Sequence, residues 1–252
     1  MPLFIMSGRC HMIKPHERID ELFREEMKII QSKEVFSFSV DALLLANFVT
    51  LRKRDTIIDL CSGNGIIPLL LSHRTDLAID AIEIQATLVD MAERSIMLND
   101  KKPQINLIEG DINNIAAYYA HSAFDVITVN PPYFTENQPL KVRSAHAYAR
   151  HEILTTLTQV VKACKYLIKN KGRLYMVHRA ERSTEVITIL QNNNFRVSRM
   201  QYVYNAPNSN EAMFVLIEAV FHSKSYVKVL PPFYIYNTDG EYSKEMLEVY
   251  YG

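Results

Sequence analysis

Two periods of apolar residues alternate along this chain, and the switches between them mark its elements. The run Thr56–Leu60 (TIIDL) is short, apolar and closed by a glycine-containing turn, which predicts a buried strand. Leu77–Ile84, Ile105–Glu109, Phe124–Asn130 and Arg173–Val177 read the same way. Between them Ile66–His73, Ala86–Asn99, Glu152–Ile168 and Glu181–Gln191 repeat apolar residues at helical spacing, with Thr155 and Thr156 as weak points of the third helix. Two later β-rich runs, Arg196–Val203 and Met213–Phe221, follow each other with no helix between, which predicts an antiparallel hairpin at an edge of the sheet.

Strands that alternate with helices and are apolar throughout belong to a parallel sheet covered on both faces. The expected fold class is therefore α/β, a doubly wound, mostly parallel sheet, with its ligand at the carboxyl ends of the strands. Residues 1–12 are expected to be poorly ordered. Residues 13–50 read as a short, partly helical extension whose apolar helix Asp41–Leu51 packs on the core. Residues 51–236 form the main domain, and residues 237–252 a turn at Asp239–Gly240 followed by a short terminal helix.

Composition narrows the class. Lys+Arg and Asp+Glu are 28 each, so a histone-like basic protein is excluded, while a local basic face on a neutral protein is not. No stretch reaches the roughly 18 apolar residues of a membrane helix, so no membrane association is expected. The three cysteines, Cys10, Cys61 and Cys164, are far apart with no C-x-x-C pair, which argues for a reducing, cytoplasmic setting and against a cysteine zinc site. Eight histidines show no ligand spacing, so no metal is expected.

The chemistry concentrates at the strand ends. The segment from Asp59 to Gly65 (DLCSGNG) closes the first sheet strand and opens a helix, where Gly63 and Gly65 permit a sharp turn and close approach of a ligand. A dinucleotide site would want a third glycine and no acid beside the pyrophosphate. Asp59 instead suits a cationic amine, as in S-adenosylmethionine, which carries an ammonium and a sulfonium and no phosphate. Glu83, with Ile84 after it, ends the second strand and can accept from ribose hydroxyls. Asp111 follows the third strand and can accept from an adenine amino group, with Ile112 against the ring. The plainer alternatives are a tight βα turn for the glycines and helix caps for Glu83 and Asp111.

Asn130-Pro131-Pro132-Tyr133 ends the fourth strand. Two prolines remove two donors and stiffen the chain. The Asn130 side chain and the Pro131 carbonyl then form a rigid pair of acceptors for the two hydrogens of an exocyclic NH2, and Tyr133 offers a flat face to an unstacked base. The alternative is a proline-rich turn that Asn130 starts. The stretch that follows carries Lys141, Arg143 and Arg150 with an interleaved aromatic. These residues are candidate phosphate contacts for RNA, with Arg179, Arg182, Lys14, Arg18 and Lys28 as further ones; a solvated loop is the alternative.

In their order, Asp59–Gly65, Glu83, Asp111 and Asn130–Tyr133 resemble the motifs of class I S-adenosylmethionine-dependent methyltransferases of the amino-methylating branch, over about residues 35–222. With 29–32, 35–42, 149–152 and 235–250 added, the chain is similar to the tRNA1(Val) adenine-37 N6-methyltransferase family in its Gram-positive form, from Met12 onward. The resemblance implies a seven-stranded sheet with a reversed last strand, and places Phe38, Ser39 and Asp41 near the methionine end of the cofactor. On sequence alone, Asp41 reads equally as a helix N-cap. One departure stands out: Cys61 occupies a position where many relatives carry Gly or Ala, which puts a thiol near the cofactor. The implied activity is N6-methylation of an adenine in tRNA. N5-methylation of a release-factor glutamine, guanine N2-methylation of RNA, and a binding module without turnover are the alternatives.

Overall fold

The computed structural model describes residues 13–22, 27–32, 40–132, 156–224 and 226–251. The chain opens with an antiparallel hairpin, β1 (Glu17–Leu22) and β2 (Met27–Ser32), in which Ile19 pairs with Ile30. Helix α1 (Val40–Phe48) leads to β3 (Ile57–Leu60), α2 (Ile66–Ser72), β4 (Ile79–Glu83), α3 (Ala86–Leu98) and β5 (Ile105–Glu109). A 3-10 helix (Ile112–Ala117) precedes β6 (Phe124–Val129). Then come α4 (Leu157–Leu167), β7 (Ile168–Arg179), α5 (Ser183–Asn192), β8 (Phe195–Tyr204) and β9 (Phe214–Phe221). The two-residue strands β10 (Lys228–Val229) and β11 (Phe233–Tyr234) and helix α6 (Lys244–Tyr251) close the described chain.

The main sheet runs β10-β8-β9-β7-β6-β3-β4-β5, with β11 also on β8. Seven of its nine strands are long, and β9 alone runs against its neighbours β7 and β8. The expected doubly wound architecture with a reversed last strand is thus present. The expected antiparallel hairpin is present as β8 and β9, with β9 between β8 and β7 and the outer edge of β8 covered in parallel by β10 and β11. Short edge strands joined through Pro231 and Pro232 present little open ladder to other chains.

Two cores sandwich the sheet. One packs Ile57, Ile79, Val126, Tyr175 and Leu216 under α1, α2 and part of α3. The other packs Ile58, Leu60, Ile127, Val129 and Met176 under α4 and α5. Adjacent strand residues go to opposite faces, which explains the unbroken apolar runs of the central strands. Each fully buried Leu or Ile contributes about 2 kcal/mol.

The extension contains the expected apolar helix as α1 and, ahead of it, a hairpin that its sequence pattern does not show. Its β2 edge is paired by side chains rather than by a strand. Ile30 N–H donates to Ser95 Oγ (3.0 Å) and Ile30 C=O accepts from Asn64 Nδ2 (3.2 Å). Asn99 accepts from Lys28 N–H (2.8 Å) and donates to Lys28 C=O (2.6 Å). Arg94 adds a bidentate pair to Glu17 (2.6 and 2.7 Å), with both side chains buried.

Helix α1 is buried along most of its length, with Asn47 exposed, and arginines complete its carboxyl end. Arg74 donates to the Ala46 and Val49 carbonyls, Arg199 to the Phe48 carbonyl (2.7 Å) and Arg173 to the Thr50 carbonyl (2.5 Å). Last-turn carbonyls have no partner within a helix, and cations also favour that end of its dipole. Helix α4 starts at Thr156, whose side chain forms a capping box with Gln159. The part of the expected helix before Thr156 lies outside the described residues.

Candidate functional site

In a sheet that runs outward from β3 to β5 and resumes on the other side of β3 with β6, the chain reverses direction between β3 and β6. The glycine loop leaves the carboxyl end of β3, and Asn130 follows that of β6. The two strongest sequence motifs therefore meet at the point where an open α/β sheet binds ligands.

The loop is built around left-handed backbone. Cys61, Gly63 and Gly65 have φ of 55°, 57° and 81°. Gly65 also packs: a Cβ there would lie 3.0 Å from that of Ala92 on α3. Cys61 has no such freedom, and a non-glycine residue in this region carries on the order of 1 kcal/mol of strain. Burial, then the charges of Glu83, Asp59 and Asp111, push its thiol well above the ordinary value, so it stays protonated.

Asp59 is fully buried in register with Thr128 of β6. Its Oδ1 accepts from the Thr128 hydroxyl (2.6 Å), and among the described residues its buried Oδ2 has no hydrogen-bond partner. Burial pushes its pKa up to about 7; the Thr128 and Ser62 hydroxyls pull the other way, and the Glu83 charge adds to the rise. The Ser62 hydroxyl is close enough to depress the Asp59 pKa, yet lies outside hydrogen-bond geometry. Ser62 Oγ and Asn64 Oδ1 are likewise buried without partners among the described residues. Three buried polar oxygens at the end of β3 and on the loop after it, none with a partner among the described residues, call for a ligand that brings donors. An ammonium group does so, which fits the amino-acid end of S-adenosylmethionine.

Glu83 ties the site together. Its Oε2 accepts from Gly63 N–H (2.9 Å) and its Oε1 from Gln85 N–H (3.0 Å), so one carboxylate fixes the glycine loop and the start of α3. Ile84 beside it is half-buried. Asp111 caps the 3-10 helix, its Oδ1 taking both the N–H of Asn113 (2.8 Å) and its side-chain amide (2.9 Å). Capping occupies only that oxygen, leaving Oδ2 for a further donor. Ile112 is buried next to it.

Asp41 is buried one residue inside the first turn of α1, its Oδ1 accepting from Ala42 N–H (2.8 Å). The N-cap reading is corrected by this, since the helix already begins at Val40. Asn130 is half-buried and Pro131 buried. Phe38, Ser39, Tyr133, Lys141, Arg143 and Arg150 lie outside the described residues. Of the further basic candidates, Lys14 is engaged by Asp90 (2.7 Å), Arg18 by Asp20 (2.7 Å) and Arg182 by Glu185 (2.6 Å). Arg179 is exposed at the carboxyl end of β7, its guanidinium 5.7 Å from the Phe214 ring centroid, and Lys28 is exposed on the hairpin. Among the described residues no group of three or more His, Cys, Asp or Glu could hold a metal, and no helix is long and apolar enough to cross a membrane.

Sequence reading singled out Asp59 and the glycines but passed over Thr128, Ser62 and Asn64. Thr128 carried a signal, as the one hydroxyl between Ile127 and Val129 in a strand of apolar residues. Its meaning required the register with β3.

The chain is similar to known methyltransferases. The chain is 22% identical over 212 residues to a tRNA1(Val) (adenine(37)-N6)-methyltransferase from Aliivibrio salmonicida, covering 84% of this chain and 87% of that one. It is 26% identical to the enzyme so named from Shewanella loihica, covering 83% and 88%. Among solved structures, a predicted O-methyltransferase from Agrobacterium tumefaciens, protein Atu636, superposes with a TM-score of 0.68 at 18% identity, covering 83% of this chain and 95% of that one. TYW2 from P. horikoshii, solved with MeSAdo, gives 0.59 at 11% identity, covering 83% and 73%. The model of the methyltransferase small domain matches residues 26–204, and the chain belongs to that family of S-adenosylmethionine-dependent methyltransferases.

Proposed function

We propose that the protein transfers a methyl group to the N6 of an adenine in tRNA, with adenine 37 of tRNA1(Val) the specific target. The observation that carries the reading is the Asn130-Pro131-Pro132 turn at the switch point, beside a loop whose buried acceptors want an ammonium. The two curated relatives described above carry that activity in their names.

In this reading Asp59, Cys61, Gly63 and Gly65 line the amino-acid end of the cofactor, with Phe38, Ser39 and Asp41 beside it. Glu83 and Ile84 hold the ribose, and Asp111 and Ile112 the adenine. When bound, S-adenosylmethionine supplies an electrophilic methyl group on sulfur. Asn130 Oδ1 and the Pro131 carbonyl accept the two hydrogens of the target amino group, so its lone pair leaves conjugation with the base. Pro132 keeps that pair of acceptors stiff, and Tyr133 stacks the base. Lys141, Arg143 and Arg150 contact tRNA phosphates. No side chain has to act as base, because the methylated ammonium is acidic enough to lose its proton to water. The enzyme's share of the work is positioning and preorganised electrostatics. Work on tRNA implies a cytoplasmic enzyme.

The test compares wild type and Asn130→Ala on unmodified total tRNA, with nucleoside mass spectrometry for N6-methyladenosine and calorimetry for cofactor binding. The variant is expected to bind cofactor nearly as wild type and to lose well over tenfold in turnover. Equal turnover overturns the assignment. Methylation of release factor in place of tRNA transfers the same acceptor pair to a glutamine amide.

A further inference from the structure

We propose that Thr128 is a positioning residue of the cofactor site, whose hydroxyl turns Asp59 so that Oδ2 is presented to the α-ammonium of the bound cofactor. This rests on the reading above, in which Asp59 meets that ammonium.

The geometry distinguishes the arrangement from a merely satisfied buried pair. A buried hydroxyl needs a partner, and a buried carboxylate needs several. Thr128 Oγ1 is held at 2.6 Å from Asp59 Oδ1, yet the buried Oδ2 is left unpartnered among the described residues. A pair kept only for stability gains nothing from this, since two apolar residues of similar shape are commonly as stable. The half-satisfied carboxylate makes sense as a site whose last partner arrives with the ligand. The groups that bear on it are the Ser62 hydroxyl on its own loop, the Glu83 carboxylate from β4 and the Thr128 hydroxyl from β6. Of these, Thr128 alone donates to it in hydrogen-bond geometry.

Position on the strand adds a second link. Thr128 stands opposite Asp59 in the β3–β6 register and two residues before Asn130. Asn130 follows directly on the strand that carries Thr128, so one short segment holds both the group that fixes Asp59 and the proposed acceptor of the target amine. A shift of β6 would move the two together, which keeps the methyl donor and its acceptor in step.

The experiment uses two ligands that differ in the part concerned. S-adenosylhomocysteine carries the α-ammonium, and 5′-methylthioadenosine keeps the adenosine and lacks the amino acid. Calorimetry with Thr128→Val, which keeps the branched shape, is expected to show S-adenosylhomocysteine binding weakened about tenfold at pH 7, the size of one lost hydrogen bond to a charged group. Binding of 5′-methylthioadenosine is expected to stay within about twofold, and Thr128→Ser, which restores the hydroxyl, to recover the loss. An equal loss on both ligands means a packing defect and overturns the proposal, as does no loss on either. Asp59→Asn separates the two levels of the argument. If it leaves S-adenosylhomocysteine binding intact, the reading of Asp59 is wrong; if it abolishes binding while Thr128→Val does not, Thr128 alone is wrongly assigned.

Discussion

At the scale of single residues, this site spends stability on function. Asp59 is ionised with difficulty, since burial pushes its pKa up to about 7. Asp59→Asn removes the charge at constant shape and leaves an oxygen to accept from Thr128. The variant is expected to melt several degrees higher than wild type at pH 8.5 and to lose cofactor binding, a pair of outcomes that thermal melts and calorimetry check together. A variant that melts lower would show that the carboxylate is satisfied as it stands. Cys61 is a smaller case of the same kind. Its φ of 55° explains why glycine suits the position. Cys61→Gly relieves about 1 kcal/mol of strain and returns a similar amount as unfolded-chain entropy, so stability should stay within roughly 1 kcal/mol by urea titration. Loss of several kcal/mol would mean that the thiol packs against the second core more tightly than its half-burial suggests.

At the scale of elements, legibility in the sequence followed locality. β5 has the bounds its own pattern predicts, Ile105–Glu109, and β3, β4 and β6 match theirs to within a residue or two because each buries its own apolar run, whereas β7 begins five residues before its expected Arg173. The β1–β2 hairpin was missed for a physical reason. Its sequence ERIDEL alternates weakly, and its edge is completed by Ser95 and Asn99 on α3 and by Asn64 in the glycine loop, far along the chain. The β8–β9 hairpin is legible because its pairing is local, whereas the pairing of β9 with β7, which precedes α5, is not. Among the residues proposed for the site, Asp59, Glu83 and Asp111 are visible as acids at strand ends, while Thr128 becomes visible only through register. The hairpin's attachment can be tested directly. Asn99→Ala removes both side-chain bonds to Lys28 and should speed amide exchange at Lys28 by tenfold or more, with β6 unaffected. Unchanged exchange would show that the Arg94–Glu17 pair and the Ile30, Leu88 and Met91 contacts suffice to hold β2.

At the scale of the whole molecule, two buried groups near the carboxyl edge of the sheet are shifted in opposite senses, and their effects on stability cancel. Asp59 rises from an ordinary 3.8 to about 7. His178, at the end of β7, falls from 6.5 to about 4, first through burial and then through the Arg182 charge, while its Nδ1 accepts from the Arg179 N–H (2.9 Å). Between pH 4 and 7 the native state holds a proton on Asp59 that the unfolded chain has released, so this group stabilises the fold as pH falls. Between pH 6.5 and 4 the unfolded chain binds a proton on His178 that the native state refuses, so this group destabilises the fold as pH falls. Four further carboxylates are shifted the other way. In Glu17, Asp90 and Asp125 burial opposes ionisation but hydrogen bonds from Arg94, Lys14 and Lys169 prevail; Glu185 is held down by Arg182. All four lie below the ordinary carboxylate value and act at more acid pH. The wild type should therefore show nearly flat unfolding free energy between pH 4.5 and 6.5 in urea titrations. Asp59→Asn uncovers the histidine and should lose about 1.4 kcal/mol per pH unit on acidification across that range. His178→Asn, which keeps an acceptor for the Arg179 N–H, uncovers the aspartate and should gain a similar amount per unit. The slopes carry the result, because any packing change shifts a curve without tilting it. Parallel curves for all three proteins would mean that neither group titrates differently in the folded state, and the orphaned oxygen of Asp59 would then need another explanation than a site awaiting a cation.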